Sequence, residues 1–263
     1  MQRLVMLLVS ASLLYGGEED STPVTRWVGP EGSRPGTYQE WIVQNPVNES
    51  CRYVVLDTAI SNGDAPWVSI YTDSVYADSL EYELGVLSDH LWDEGFSVLR
   101  RSVRREVHPE TLRSFIKRDY DSLHIEGALF VGNIQPAWFQ VRNDHDTFYA
   151  EWPCDLFYMD LDGEWRDDSI RAGRGGAGPD SIYDFHSGNV APEIYVGRLM
   201  PTGLDSQLTR LRNYFRKDNA FRHDTLRLPP KALFFIDDDW VRDTSCPGKW
   251  SRALAAAYPD TGN

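Results

Sequence analysis

The chain has 263 residues, 41% of them hydrophobic and 13% aromatic, the balance of a folded globular protein rather than a disordered one. Forty acidic against twenty-six basic residues give a formal net charge of −14. That charge disfavours nucleic acid, whose phosphates need a basic face, and an anionic membrane surface as partners. Three cysteines (Cys51, Cys154 and Cys246) are too few and too scattered for a disulfide framework or a cysteine-rich zinc centre.

Arg3 precedes an apolar run from Leu4 to Leu14, and Gly16, Gly17 and the acidic Glu18 to Asp20 follow. This pattern predicts a secretory signal peptide over residues 1–17, since the run is short for a membrane span. No later stretch is long and apolar enough for one. The expectation is a chain that is secreted or held at the cell surface. Residues 18–65 are rich in Gly, Pro, Ser and Asn and read as an N-terminal arm or small β segment, with Tyr38 to Val43 and Tyr53 to Leu56 extended.

From Trp67 the pattern alternates. Trp67 to Tyr71 reads as a strand. Leu80, Leu84, Leu87 and Leu91 recur at helical spacing and Gly95 ends the run. Phe96 to Leu99 is a second strand, His108-Pro109-Glu110 opens a second helix carrying Leu112, Phe115 and Ile116, and Ala128 to Val131 is a third strand closed by Gly132-Asn133. This β-α-β-α-β order predicts an α/β fold with a parallel sheet and right-handed crossovers, with helices over both faces. After Pro136 the rhythm breaks. Trp152 to Gly163 reads as one strand-like run ending in acids, and Glu164 to Asn189 as a polar loop containing the glycines of Gly173 to Gly178. Glu193 to Val196 is strand-like, and Leu204, Leu208, Leu211 and Phe215 mark a helix to about Arg222. Lys231 to Ile236 reads as a further strand ending in Asp237, Asp238 and Asp239.

The sharpest local signal is the acidic run Asp160, Asp162, Glu164, Asp167 and Asp168. Closely spaced carboxylates repel unless they are solvated or neutralised, and Ca²⁺ takes hard oxygen ligands from such loops. The spacing departs from an EF-hand, so the run reads either as a calcium site or as a solvated acidic turn. Asp237 to Asp239 suit either a helix cap or a cation at a strand end. None of the six histidines falls in a metal-binding spacing; His186 sits in a loop context that suits a catalytic histidine, though a lone loop histidine is more often simply exposed. Cys154 reads as a buried, inert thiol, and Cys246 is loop-borne. Gly173 to Gly178 lacks the ending of a phosphate-binding loop.

Three blocks occur in order: Gly127-Ala-Leu-Phe-Val-Gly132-Asn133, then Asp155 to Trp165, then Pro192-Glu-Ile-Tyr-Val-Gly-Arg198-Leu-Met-Pro201. Together they resemble the first half of the gingipain-type cysteine peptidases, over roughly residues 67 to 236. The resemblance implies a three-layer caspase-like fold, with residues 66–227 as the scaffold subdomain and 228–263 as the truncated start of a second, catalytic one. In that family the second subdomain carries a His in Gly-His-Gly and a Cys at the next strand end. No Gly-His-Gly occurs here, so no catalytic residue is carried over. The resemblance implies a protein or peptide substrate for the full-length parent, structural Ca²⁺, and inactivity of this chain without the missing C-terminal subdomain. Two other readings stand beside it: a non-catalytic secreted or surface module, and a metal-dependent hydrolase using Asp160, Asp162 and Asp237 to Asp239.

Overall fold

A computed structural model describes residues 36–144, 148–168, 179–201 and 206–227, and the side chains of 142–149 are not described. The expected signal peptide, the Gly173 to Gly178 loop, the strand at Lys231 to Ile236, Asp237 to Asp239 and Cys246 lie outside the described residues. Residues 36–227 form one compact unit. No described helix is long and apolar enough to cross a membrane.

The first element corrects the sequence reading. Tyr38–Gln44 is a helix, α1, and not an extended segment. Its cause is a reciprocal cap: Thr37 Oγ1 accepts from the Glu40 N–H at 3.3 Å, and the Glu40 carboxylate accepts from the Thr37 N–H at 3.1 Å. Strands β1 (Val54–Ile60) and β2 (Trp67–Asp73) follow. A short helix α2 (Ser74–Ala77) and a 3₁₀ turn lead into α3 (Glu81–Asp93). Next come β3 (Ser97–Val103), α4 (Pro109–Leu123) and β4 (Ile125–Val131). Helix α4 begins where the sequence places it, with Pro109 in its first turn and His108 Nδ1 accepting from the Glu110 N–H at 3.2 Å.

After β4 the structure holds more order than the sequence reveals. Strands β5 (Trp138–Asp144) and β6 (Phe148–Pro153) pair antiparallel. The expected single strand from Trp152 to Gly163 is instead the end of β6, a one-turn helix α5 (Leu156–Met159) and a tight turn. Within the supposed polar loop, β7 (Glu164–Arg166) pairs antiparallel with β8 (Phe185–Ser187). The last described elements are β9 (Tyr195–Leu199) and α6 (Gln207–Arg222).

The main sheet has five strands in the order β1-β3-β2-β4-β9. Strands β3, β2, β4 and β9 are mutually parallel, as expected, but β1 pairs antiparallel with β3. The sheet is therefore mixed. The link between β1 and β2, residues 61–66, is too short for a crossover helix, so the chain reverses. Two cores alternate across the sheet. Tyr71, Val103, Ala128 and Phe130 pack with Leu112 and Ile116 of α4 and with Phe157 and Tyr158 of α5. Val68, Ile70, Val98 and Val131 pack with Leu80, Leu84 and Leu87 and with Leu211 and Phe215 of α6. Helices thus cover both faces, which is why β2 and β3 are buried almost throughout. Helix α4 is also tied to the sheet by charge: Asp119 accepts from Arg101 Nε at 2.7 Å and from the Tyr71 hydroxyl at 2.6 Å.

Candidate functional site

The site forms where the second and third sequence blocks meet. Helix α5 runs into Asp160, whose side chain is fully buried. The turn Asp160-Leu161-Asp162-Gly163 folds back so that the Gly163 N–H donates to Asp160 Oδ1 at 2.6 Å. A Cβ on Gly163 would lie 2.0 Å from Asp160 Oδ2, so a side chain there would displace the Asp160 carboxylate from its place. Arg113 of α4 clamps the turn from outside, but through main-chain oxygens. Its Nη2 donates to the Asp160 carbonyl at 2.7 Å and to the Gly163 carbonyl at 3.1 Å. The guanidinium therefore does not neutralise the carboxylates directly.

The segment leading into β9 delivers the next group. The main chain at Glu193 docks on the end of α5, its N–H donating to the Met159 carbonyl at 3.0 Å. Glu193 Oε2 then accepts from the Leu161 N–H at 2.6 Å. Asp162 stands exposed beside it and accepts from Asn189 at 3.3 Å. One carboxylate oxygen from each of Asp160, Asp162 and Glu193 lies within 4.8 Å of the other two. These three residues could hold a metal ion. All offer hard oxygen, the donor type of Ca²⁺ and Mg²⁺, and the glycine-closed turn provides the tight curvature such a site needs.

His186, on β8, reaches the same centre. Its Nε2 lies 2.5 Å from Asp160 Oδ2, and its ring stacks on Trp165 at 3.9 Å between centroids. The side chain is only 14% exposed, so the expectation of an exposed loop histidine is corrected. The β7–β8 pairing, Trp165 opposite His186, is what brings it in.

Of the five acidic residues singled out from sequence, the structure brings Asp160 and Asp162 together. Glu164 and Asp168 instead flank Arg166, at 3.3 and 3.4 Å. Asp167 turns away to accept from the Ser181 N–H at 2.7 Å, and burial raises its carboxyl above the ordinary range. Sequence reasoning missed Glu193 and His186 as members of the centre. Glu193 did lie inside the third block, and that block's position beside the acidic run was the available signal. Cys51 and Cys154 are both free and partly buried. Burial pushes the Cys154 thiol up, the opposite of what a nucleophile needs.

The third block closes the arrangement. Arg198 on β9 forks onto Asp155 of the second block, Nε to Oδ2 at 2.9 Å and Nη2 to Oδ1 at 2.6 Å. Its Nη1 donates to the Ile134 carbonyl, just beyond the first block. Comparison with family models, with curated proteins and with solved structures finds no match in any of the three.

Proposed function

We propose that this chain is the scaffold half of an exported gingipain-like cysteine endopeptidase of caspase-like fold, stabilised by a Ca²⁺ ion at Asp160, Asp162 and Glu193. The observation that carries the reading is the convergence on Arg198. The three blocks behind the resemblance are separated in sequence, yet β9 pairs in parallel with β4, and Arg198 joins the second block to Ile134, just beyond the first. Blocks that interlock in this way act as one structural unit.

In this reading the cation has a structural task. It neutralises carboxylates that Arg113 leaves unpaired and pins α5 to the start of β9. His186 and the Gly163 N–H hold the Asp160 carboxylate in place for it. The described cysteines take no part in chemistry, and the dyad is supplied by the chain beyond Asn263.

The test has two arms. The coding frame downstream of Asn263 is expected to encode a strand ending in Gly-His-Gly and, after it, a strand ending in Cys. The full-length product is then expected to cleave peptides and to be silenced by iodoacetamide, while residues 1–263 alone show no activity. A downstream frame lacking both residues would overturn the peptidase reading. So would iodoacetamide-sensitive activity from residues 1–263 alone, which would place the nucleophile in this chain.

A further inference from the structure

A second centre lies on the other face of the main sheet from α5 and its carboxylates. Helices α3 and α6 both pack on the side of Val68, Ile70 and Val98, whereas α5 packs on the side of Tyr71 and Phe130. The two helices run in the same direction. At their starts Arg212 of α6 reaches Glu83 of α3, Nε to Oε1 at 3.3 Å, and at their ends Arg222 bonds Glu94. Their carboxyl ends therefore lie side by side.

Each of these ends carries a histidine. His90 is in the last turn of α3, and His223 caps α6. The two are 133 residues apart in sequence, yet Nε2 faces Nε2 at 3.3 Å, with the rings 5.1 Å apart between centroids. The backbone under both is fixed. The His90 carbonyl accepts from the Glu94 N–H at 3.0 Å, and the His223 N–H donates to the Asn219 carbonyl at 3.1 Å. His90 Nδ1 is buried with no hydrogen-bond partner among the described residues, so the ring bonds through Nε2 alone. His223 is exposed and His90 half-buried, so ions in solution reach the pair.

The separation suits a shared metal ion better than a shared proton. A proton between the rings makes an N–H hydrogen bond, which spans about 2.7–3.2 Å. Zinc holds imidazole nitrogen at about 2.0–2.1 Å, so two such ligands on a tetrahedral ion stand about 3.3–3.4 Å apart. The surroundings favour a cation as well. Two helix carboxyl ends each bring partial negative charge. Arg222, beside His223, is bonded by both Asp218 and Glu94, two carboxylates to one guanidinium.

We propose that His90 and His223 bind one Zn²⁺ ion through their Nε2 atoms, with water completing its shell. The ion cross-links the carboxyl ends of α3 and α6. Imidazole selects a transition ion over Ca²⁺, whose ligands are hard oxygens. The site depends neither on the peptidase reading nor on a metal at Asp160.

The experiment titrates the full chain with Zn²⁺ by calorimetry, with Ca²⁺ in excess so that the carboxylate centre does not compete. Thermal unfolding is recorded in parallel. The parent chain is expected to bind Zn²⁺ and to unfold at a higher temperature with it. His90→Gln and His223→Gln each leave one ligand, and each is expected to weaken Zn²⁺ binding by at least about tenfold. The double variant is expected to lose little more than either single, because one lost ligand already breaks the pair. Unfolding midpoints without Zn²⁺ are expected to stay close to that of the parent chain and show that the variants fold. Asp160→Asn, which alters the other centre, is expected to leave Zn²⁺ affinity unchanged. Absence of Zn²⁺ binding by the parent chain would overturn the proposal. So would unchanged affinity in either folded histidine variant, single losses that add up in the double, or a loss confined to Asp160→Asn.

Discussion

Two buried aspartates sit at similar places and have different fates. Asp73, at the carboxyl end of β2, and Asp160, at the end of α5, are both fully buried. Each lies against a glycine that admits no side chain: a Cβ on Gly132 would meet the Asp73 Cβ at 2.6 Å, and one on Gly163 would meet the Asp160 carboxylate at 2.0 Å. Each has an arginine beside it. Arg105 bonds the Asp73 carboxylate itself at 2.5 Å, and the Val75 and Asn133 N–H groups complete its shell at 3.1 and 3.2 Å. Arg113 goes to the carbonyls around Asp160 instead, leaving the carboxylate to one N–H and His186, with Asp162 and Glu193 close by. Asp73 is a closed joint. The Asp160 turn carries an excess of negative charge that a cation would balance. Where an arginine places its donors, rather than whether one is near, separates the two.

The largest effect is expected at the closed joint. Asp73→Ala leaves Arg105 and two N–H groups without their acceptor. Breaking a buried pair costs about 3 kcal/mol at the lower end of its usual range, which suits a guanidinium that is one-third exposed. Urea unfolding is expected to show this loss equally with and without Ca²⁺. A loss that Ca²⁺ repairs would mean that the two aspartates do not differ as described.

At the open turn the effect is conditional. Ca²⁺ at a hundredfold excess over its dissociation constant stabilises the folded state by about 2.7 kcal/mol. Asp160→Asn keeps an acceptor for the Gly163 N–H but removes charge, and Glu193→Gln does the same for Leu161. Both variants are expected to lose most of the Ca²⁺-dependent gain in thermal unfolding while remaining folded without the ion.

A smaller effect concerns pH. Burial raises the Asp167 carboxyl above its ordinary value of 3.8, so the folded chain holds that proton more tightly than the unfolded one. Its contribution therefore favours folding at low pH, and is lost as pH rises from the ordinary carboxylate value through the raised one. Asp167→Asn is expected to flatten the stability profile across that window relative to the parent chain. A profile unchanged by the substitution would contradict the assignment. The smallest effects fall on the outlying acids. Glu164→Gln and Asp168→Asn, beside the exposed Arg166, are expected to change stability by less than about 0.5 kcal/mol and to leave the Ca²⁺ response intact.

Much of the central sheet was legible because its signals are local. The Leu84 to Leu91 spacing, the Pro109 start of α4 and the apolar run in β4 each sit within one element, and each places that element correctly; Leu80 falls in the 3₁₀ turn just before α3. Helix α1 was misread as extended although Thr37 and Glu40 spell a capping pair; the glycine- and proline-rich surroundings outweighed it. The antiparallel direction of β1 depends on link length, which no periodicity reports. Strands of three residues, such as β7 and β8, are too short to show a period at all. Half of the candidate site was unreadable because contacts between segments distant in sequence assemble it. Asp160 and Asp162 are local to one turn, but His186 and Glu193 join them only through the β7–β8 pair and the docking of residues 193–194 on α5.

The most direct test of the contrast between the two aspartates is a calorimetric Ca²⁺ titration of the parent chain, Asp160→Asn and Asp73→Asn. The account predicts one saturable site in the parent chain, its loss in Asp160→Asn, and its retention in any folded Asp73→Asn. Binding that survives Asp160→Asn, or no binding by the folded parent chain, would contradict it.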